Sequence, residues 1–473
     1  MRHPVAWQSS HPAAAPTRPL RWGEVYSEAE LYKAALRVYT KSLFQWRKAL
    51  SRSRDGRTLY DFSRHGARNL EALHCQLRSE RFHFRAGAAR RYSFNGKVRT
   101  LFIYPWEERI VDLLLYRLLN RHFHRRFSPA CYAYRWAGYG VDLCQMRVAS
   151  LIARLPKPLF LLKRDIANYF PSIDHGLLLE QVAELVDPGD YLWRMLEARI
   201  RFEYEEAGRI LRADRGVPFG TPIACFLANL YLLPLDSRLA RVEGLAYFRY
   251  ADDLLGIAPD PGTAARAAAE CDAALAALRL AVKPSHSFEC ALSDAPLPAA
   301  LGRRVSKFRH LGLEFRANGR TGLSRDKARK ICNLFRYAFR RKAARLRRLA
   351  SPEGRAKVAV EIARRTLLDG VRNVAIIDYY LKHVRDEVQL RRLDRWLAEE
   401  VLSIAFRNGH KKGNFGRLNF GRLRAMGLPS LLHRSRLIRH GHVQTSFFRW
   451  QECRRARRAR GDGARLTEPF PQA

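Results

Sequence analysis

Tyr250-Ala251-Asp252-Asp253 lies between two apolar runs, and Tyr247 to Ala258 reads as a β-hairpin with Ala251, Asp252 and Asp253 at its tip. A third acid, Asp165, closes Pro158 to Ile166, which reads as a buried strand. Crowding three carboxylates is costly unless cations neutralise them. Nucleotidyl transfer has such a demand: it uses two divalent ions roughly 3.5 to 4 Å apart, one at the attacking hydroxyl and one at the leaving pyrophosphate. The acids can bridge such a pair only if the strand ending at 165 lies beside the hairpin. That condition ties together segments far apart in the chain.

The rest of the chain supplies a large core and an excess of positive charge. Of 473 residues 47% are apolar and 11% aromatic, enough for two or three folded domains. Lys and Arg number 86 against 45 acids, a formal charge of +41, which calls for a polyanionic partner. The basic residues run along the whole length, as a binding channel built from several domains would require. No apolar run approaches the roughly 18 residues of a membrane span. Met1 to Gly23 lacks the apolar centre of a signal peptide, so a cytoplasmic protein without a membrane partner is expected. Eight cysteines with no Cys-x-x-Cys pair argue against disulfides and structural zinc.

Along the chain, residues 1–22 read as a flexible arm rich in Pro and Ala. Ser27 and Glu30 form a capping-box pattern before a first helix, and another helix is predicted over 64–79. Arg91 to Phe94 and Val98 to Ile103 flank Asn95-Gly96, a hairpin signal, and Pro105 opens a further helix. Gly216 to Pro222 is a tight loop feeding the apolar helix Ile223 to Leu233, and Asp260 to Leu280 is alanine-rich helix. Lys307 to Phe315 reads as another hairpin. From Ser324 the pattern turns helical: Ile331, Leu334, Phe335, Ala338 and Phe339 form one stripe, with Arg336, Arg340, Arg341 and Arg345 elsewhere around it. The expected fold is α+β, with a catalytic core at about 64–320 inside a domain of 23–320, a segment 321–350, a helical region 351–450 and a basic disordered tail 451–473.

Six segments in this order resemble the reverse transcriptase family over roughly residues 64 to 350. Gly96-Lys97-Val98-Arg99 with Pro105 and Arg109 is similar to its fingers segment, Asp165 with Phe170 to its first catalytic strand, and Gly216 to Gly220 with Asn229 to its glycine-proline loop and helix. Tyr250 to Asp253 resembles its catalytic hairpin; Lys283 to Ser287 and Phe308 to Gly312 resemble the next two elements. The resemblance implies a right-hand polymerase of fingers, palm and thumb, adding deoxynucleotides (dNTPs) to make DNA on an RNA template. It implies Asp165, Asp252 and Asp253 as catalytic residues holding two Mg²⁺ ions, or Mn²⁺, with the Ile166 carbonyl assisting. Lys97 and Arg99 would clamp the triphosphate. Phe170, with Tyr169 as its rival, would exclude a 2′-hydroxyl; Phe219 and Gly220 would line the nucleotide site. Arg336, Arg340, Arg341 and Arg345 would grip nucleic acid from the thumb.

Two departures stand out. Phe219 replaces the Gln that many relatives carry, so it can stack but cannot hydrogen-bond a nucleotide. Where many relatives carry a lysine able to protonate pyrophosphate, this chain has His286, with Lys283 nearby. Activity rising below about pH 7 would favour His286 as general acid. No nuclease signature follows the core, and the nearest string to the retron Val-Thr-Gly triplet is Arg320-Thr321-Gly322. The chain therefore resembles the free-standing bacterial enzymes of antiviral defence, some of which use a noncoding RNA partner. A group II-intron-like or retron-like enzyme and a non-catalytic RNA-binding scaffold are the alternatives.

Overall fold

A computed structural model of the chain describes residues 18–41, 45–94, 97–135, 138–368 and 377–443. Asn95-Gly96, residues 1–17 of the expected arm and the tail from 451 lie outside them. The chain divides into two compact units, one of residues 1–148 with 155–305 and one of 149–154 with 306–473.

The first unit is built on a five-stranded sheet in the order β6-β7-β3-β8-β9. These strands are β3 (Leu159–Asp165), β6 (Ala246–Tyr250), β7 (Asp253–Ala258), β8 (Phe288–Leu292) and β9 (Arg304–Val305). β3 lies between β7 and β8, antiparallel to both, and is buried along nearly its whole length. A strand covered on both faces explains the apolar run Leu159 to Leu162, after which Lys163 and Arg164 are buried against carboxylates. One face carries Phe160, Leu162, Tyr247 and Leu254 into a core shared with Ala267, Cys271 and Leu275 of the helix Pro261–Ala277. That helix starts at Asp260, whose side chain accepts from the Thr263 N–H and supplies the N-cap.

A second sheet, in the order β2-β1-β4-β5, joins β1 (Gly87–Phe94) and β2 (Lys97–Ile103) to the hairpin β4 (Glu203–Glu206) and β5 (Arg209–Arg212). The helix Trp106–Phe123 follows Pro105, as the Pro-Trp-Glu-Glu start suggested. The expected arm is packed from Leu20 on: Leu20 bridges to Val186, and Trp22, 3% exposed, donates its backbone N–H to Asp190. A tryptophan this apolar does not stay in solvent when a core can take it. Ser27 Oγ accepts from the Glu30 N–H at 3.4 Å, the N-cap half of the expected capping box, while the Glu30 carboxylate faces Lys33, Arg117 and Arg121.

The second unit opens with a three-stranded meander, β10 (Lys307–His310), β11 (Leu313–Arg316) and β12 (Thr321–Leu323), followed by helices. In the helix Arg325–Arg341 Ile331, Phe335 and Phe339 are buried, while Leu334 and Ala338 are half-covered. Ser324 takes the N-cap position without a side-chain bond. The helices Pro352–Leu368, Glu387–Phe406 and Leu431–Arg439 complete the unit. Among the described residues no single helix is long and apolar enough to cross a membrane; one bent pair, Pro222–Tyr231 with Leu233–Ala240, passes such a test jointly and lies largely in the core.

Candidate active site

The register of the first sheet sets Asp165 directly opposite Asp253. Side chains so paired stand on one face with Cβ atoms about 4.5 to 5.5 Å apart. Asp252 occupies the tip between β6 and β7, next to Ala251, whose φ of 56° is left-handed. An alanine there is strained, as residues at working sites often are. The Ile166 N–H donates to the Asp252 carbonyl at 3.3 Å, lacing the tip to the end of β3. The three acids of the sequence pattern thus come from neighbouring strands of one sheet.

Two nitrogen side chains, Lys163 and His286, already attend them. Lys163, two residues before Asp165 and so on its face, pairs its ammonium with the Asp253 carboxylate. Burial pulls the Lys163 pKa down to about 7, against the opposing pull of Asp165 and other neighbours including Asp252. His286 brings Nδ1 to 3.3 Å from Asp165 Oδ2, from a short turn over Pro284–His286. The backbone of this turn is fixed on β3: Lys283 N–H donates to the Asp165 carbonyl at 2.7 Å, and the Asp165 N–H donates to Ser287 Oγ at 3.2 Å.

Among the described residues no three His, Cys, Asp or Glu side chains come together closely enough to hold a metal ion. The expected convergence is therefore present in the backbone and incomplete in the side chains, since Asp253 is drawn to Lys163 and Asp165 to His286. In kind the donors fit a hard divalent cation, which takes carboxylate and main-chain carbonyl oxygens. Such an ion would have to displace the Lys163 ammonium from Asp253.

The candidate nucleotide residues form a chain of contacts beside the acids. The Arg99 guanidinium lies 5.5 Å from the centre of the Phe219 ring, and Phe219 meets Phe170 edge to face at 5.1 Å. Phe170 in turn meets Tyr134 at 6.3 Å. The Phe102 N–H donates to the Phe219 carbonyl at 3.4 Å, so β2 and the loop are joined by backbone as well. Lys97 pairs with Phe94 in the β1–β2 register, and its side chain lies outside the described residues. Gly220, exposed with φ of 108°, follows Phe219.

Phe170 and Tyr169 separate cleanly. Tyr169 is 3% exposed and donates its hydroxyl to the Ala228 carbonyl, which anchors it beneath the helix Pro222–Tyr231. Phe170 is half-buried and faces Phe219. Its backbone is held by the glycine-proline loop: Val217 N–H donates to the Phe170 carbonyl at 3.1 Å, and Gly216 N–H to the Ile173 carbonyl at 2.7 Å. Gly216 has φ of 82°, and a Cβ there would lie 2.9 Å from Pro171 Cα, so no other residue fits.

Sequence reasoning missed the support behind the hairpin. On the helix-covered face Arg249, fully buried, forms a two-pronged pair with Asp236 at 2.6 and 2.7 Å. Arg249 also donates to Asn229 Oδ1 at 3.1 Å and to the Ala251 carbonyl at 3.4 Å. Tyr247 donates to Asp236, and Asn229 donates to the Ala133 carbonyl at 2.7 Å. The available signal was a lone Arg in an apolar strand and a lone Asp in an apolar helix, because buried charges need partners.

Residues 90–315 match the model of the family described as reverse transcriptase (RNA-dependent DNA polymerase). They form a reverse transcriptase domain. The matched stretch contains Arg99, Asp165, Phe170, Phe219, Asp252, Asp253 and His286. Among solved structures, an apo telomerase from Candida tropicalis, truncated from its C-terminal domain, is similar at 12% identity with a TM-score of 0.40. The alignment covers 51% of this chain and 55% of that one, so this chain spans about half the telomerase chain. No curated protein matches the sequence.

Proposed function

We propose that the chain adds deoxynucleotides to a primer on an RNA template, with Asp165, Asp252 and Asp253 and the Ile166 carbonyl holding two Mg²⁺ ions, or Mn²⁺. The observation that carries this is the β3–β7 register, which faces Asp165 with Asp253 inside the reverse transcriptase domain. When bound, the ions would neutralise charge at the attacking hydroxyl and the leaving pyrophosphate. Lys163 balances Asp253 and would release it to bound ions. Arg99, steadied on Phe219, receives the triphosphate together with Lys97, and Gly220 lets the backbone approach. Phe170 closes the sugar side, where its ring would collide with a 2′-hydroxyl. His286, beside Asp165, is the general acid in this reading, and Lys283 is the alternative.

In the same reading the two sheets of the first unit are palm and fingers, and the helix Arg325–Arg341 is the thumb. Arg336 is engaged by Glu400 at 3.5 Å and stacks on Trp396, leaving Arg340 and Arg341 of this helix and Arg345 of the next, Ala343–Arg348, all exposed, for nucleic acid. For the wider role we favour antiviral defence with a resident noncoding RNA, a reading supported by the +41 charge and by the resemblance. A retroelement enzyme is its competitor.

Asp252→Ala with Asp253→Ala abolishes nucleotide incorporation in a primer-extension assay while RNA binding persists. Incorporation that survived the double substitution would sink the assignment of these acids. Sequencing the nucleic acid that copurifies with the chain separates the wider roles: one dedicated small RNA or its DNA copy fits defence or a retron, and intron RNA fits a mobile element.

A further inference from the structure

A cavity of about 600 Å³ opens in the helical unit where the helices Arg325–Arg341, Ala343–Arg348, Pro352–Leu368 and Glu387–Phe406 converge. Phe339, Ala343, Leu346 and Ile404 give it an apolar floor, and arginines form its rim. Several helices end here, and the negative ends of their dipoles attract cations, so some of these arginines are spoken for by the fold itself. Arg355, 7% exposed, donates to the carbonyls of Ala405, Leu349 and Ala350. Arg407 donates to the Arg347 carbonyl at 2.8 Å. Arg336 is held by Glu400, the carboxylate in the lining, and Glu400 also receives His410 at 2.9 Å.

Arg340 and Arg347 remain. Both are exposed, and among the described residues neither guanidinium has a hydrogen bond or an ion pair. Two uncommitted guanidinium groups over an apolar hollow of this size are suited to a flat ring bearing a phosphate. A duplex turns its backbone outward and would leave the hollow empty, whereas single-stranded RNA can splay a base into it.

We propose that this cavity seats one unpaired nucleotide of single-stranded RNA, the base on Ala343, Leu346 and Ile404 and the adjoining phosphates on Arg340 and Arg347. The inference rests on the reading of the chain as an RNA-handling polymerase, and it adds a site apart from the acids of the hairpin.

The test measures binding of the full chain to a labelled 12-nucleotide RNA and to an RNA–DNA duplex of the same length, by fluorescence anisotropy at several salt concentrations. Ala343→Trp fills the hollow without changing charge. It should weaken RNA binding about tenfold, as loss of one seated base predicts, and leave duplex binding within about twofold. Arg340→Gln with Arg347→Gln should weaken RNA binding and reduce the slope of log affinity against log salt by about 1.4, two phosphate contacts on a single strand. Should the tryptophan perturb the thermal melt, Ala343→Gln serves as a smaller plug. Unchanged RNA binding with a folded plug variant overturns the proposal, and so does an equal loss on duplex or displacement of the RNA by free AMP at micromolar concentration. Primer extension by the unaltered chain reports on the polymerase reading separately, so either idea can fail alone.

Discussion

Two cation–aspartate pairs flank the β6–β7 hairpin, one on each face, and they are built to opposite ends. Arg249 and Asp236 are fully buried, joined by two bonds and surrounded by Asn229, Tyr247 and the Ala251 carbonyl, so both charges are satisfied from several sides. Lys163 and Asp253 meet ammonium to carboxylate, with the aspartate partly open to solvent. The first pair holds the hairpin tip in a strained conformation. The second holds a charge that another cation can claim. A planar guanidinium suits the fixed role, and an ammonium on a flexible stem suits the exchangeable one.

The difference can be broken most severely on the buried side. Arg249→Ala leaves Asp236 without its counter-charge in the core, held by the Tyr247 hydroxyl, and should cost about 3 to 5 kcal/mol of stability, read as a large fall in the thermal midpoint. A melt within a few degrees of the parent would show that the network is dispensable.

On the open side the largest effect expected is on chemistry. His286→Gln should lower kcat about a hundredfold while KM for the nucleotide holds steady, as loss of a general acid predicts; a parent-like kcat would pass the role to Lys283. Lys163→Met removes the cation competing for Asp253. Calorimetric titration should then show tighter Mn²⁺ binding by about tenfold, and the melting temperature should rise more steeply with Mn²⁺ than in the parent. Weaker Mn²⁺ binding would mean that Lys163 organises the acids.

The smallest effect is at the aromatic chain. Phe219→Ala removes the ring beneath Arg99, a contact worth about 0.5 to 1 kcal/mol at an exposed site, and should raise KM for the nucleotide about three- to fivefold with little change in kcat. Phe219→Gln would separate stacking from hydrogen bonding: if it equals the parent, the ring is not what positions Arg99.

Much of this arrangement was legible in the chain. The β3 strand announced itself by the apolar run Leu159 to Leu162 just before Asp165, the hairpin by alternation around Asp252 and Asp253, and the loop by glycines whose positive φ angles no other residue adopts easily. What stayed hidden depends on register and on distance along the chain. Lys163 and Arg164 look alike in sequence, yet the pleat sends Lys163 to Asp253 and Arg164 to Asp272 and Glu289 on the other face. Nothing local pairs Arg249 with Asp236, because one sits in a strand and the other in a helix. Trp22 follows a run of prolines in sequence, yet it is buried in the core through contacts with residues far along the chain.

Gly216 carries a consequence for descent as well as for shape. A side chain at that position would press on the backbone of Pro171, immediately after the ring at 170, so the loop could not drift without disturbing the aromatic wall. Relatives that change one should change the other in step, and a chimera that swaps the loop alone from a distant homologue would be expected to misplace the ring at 170 before it loses its fold.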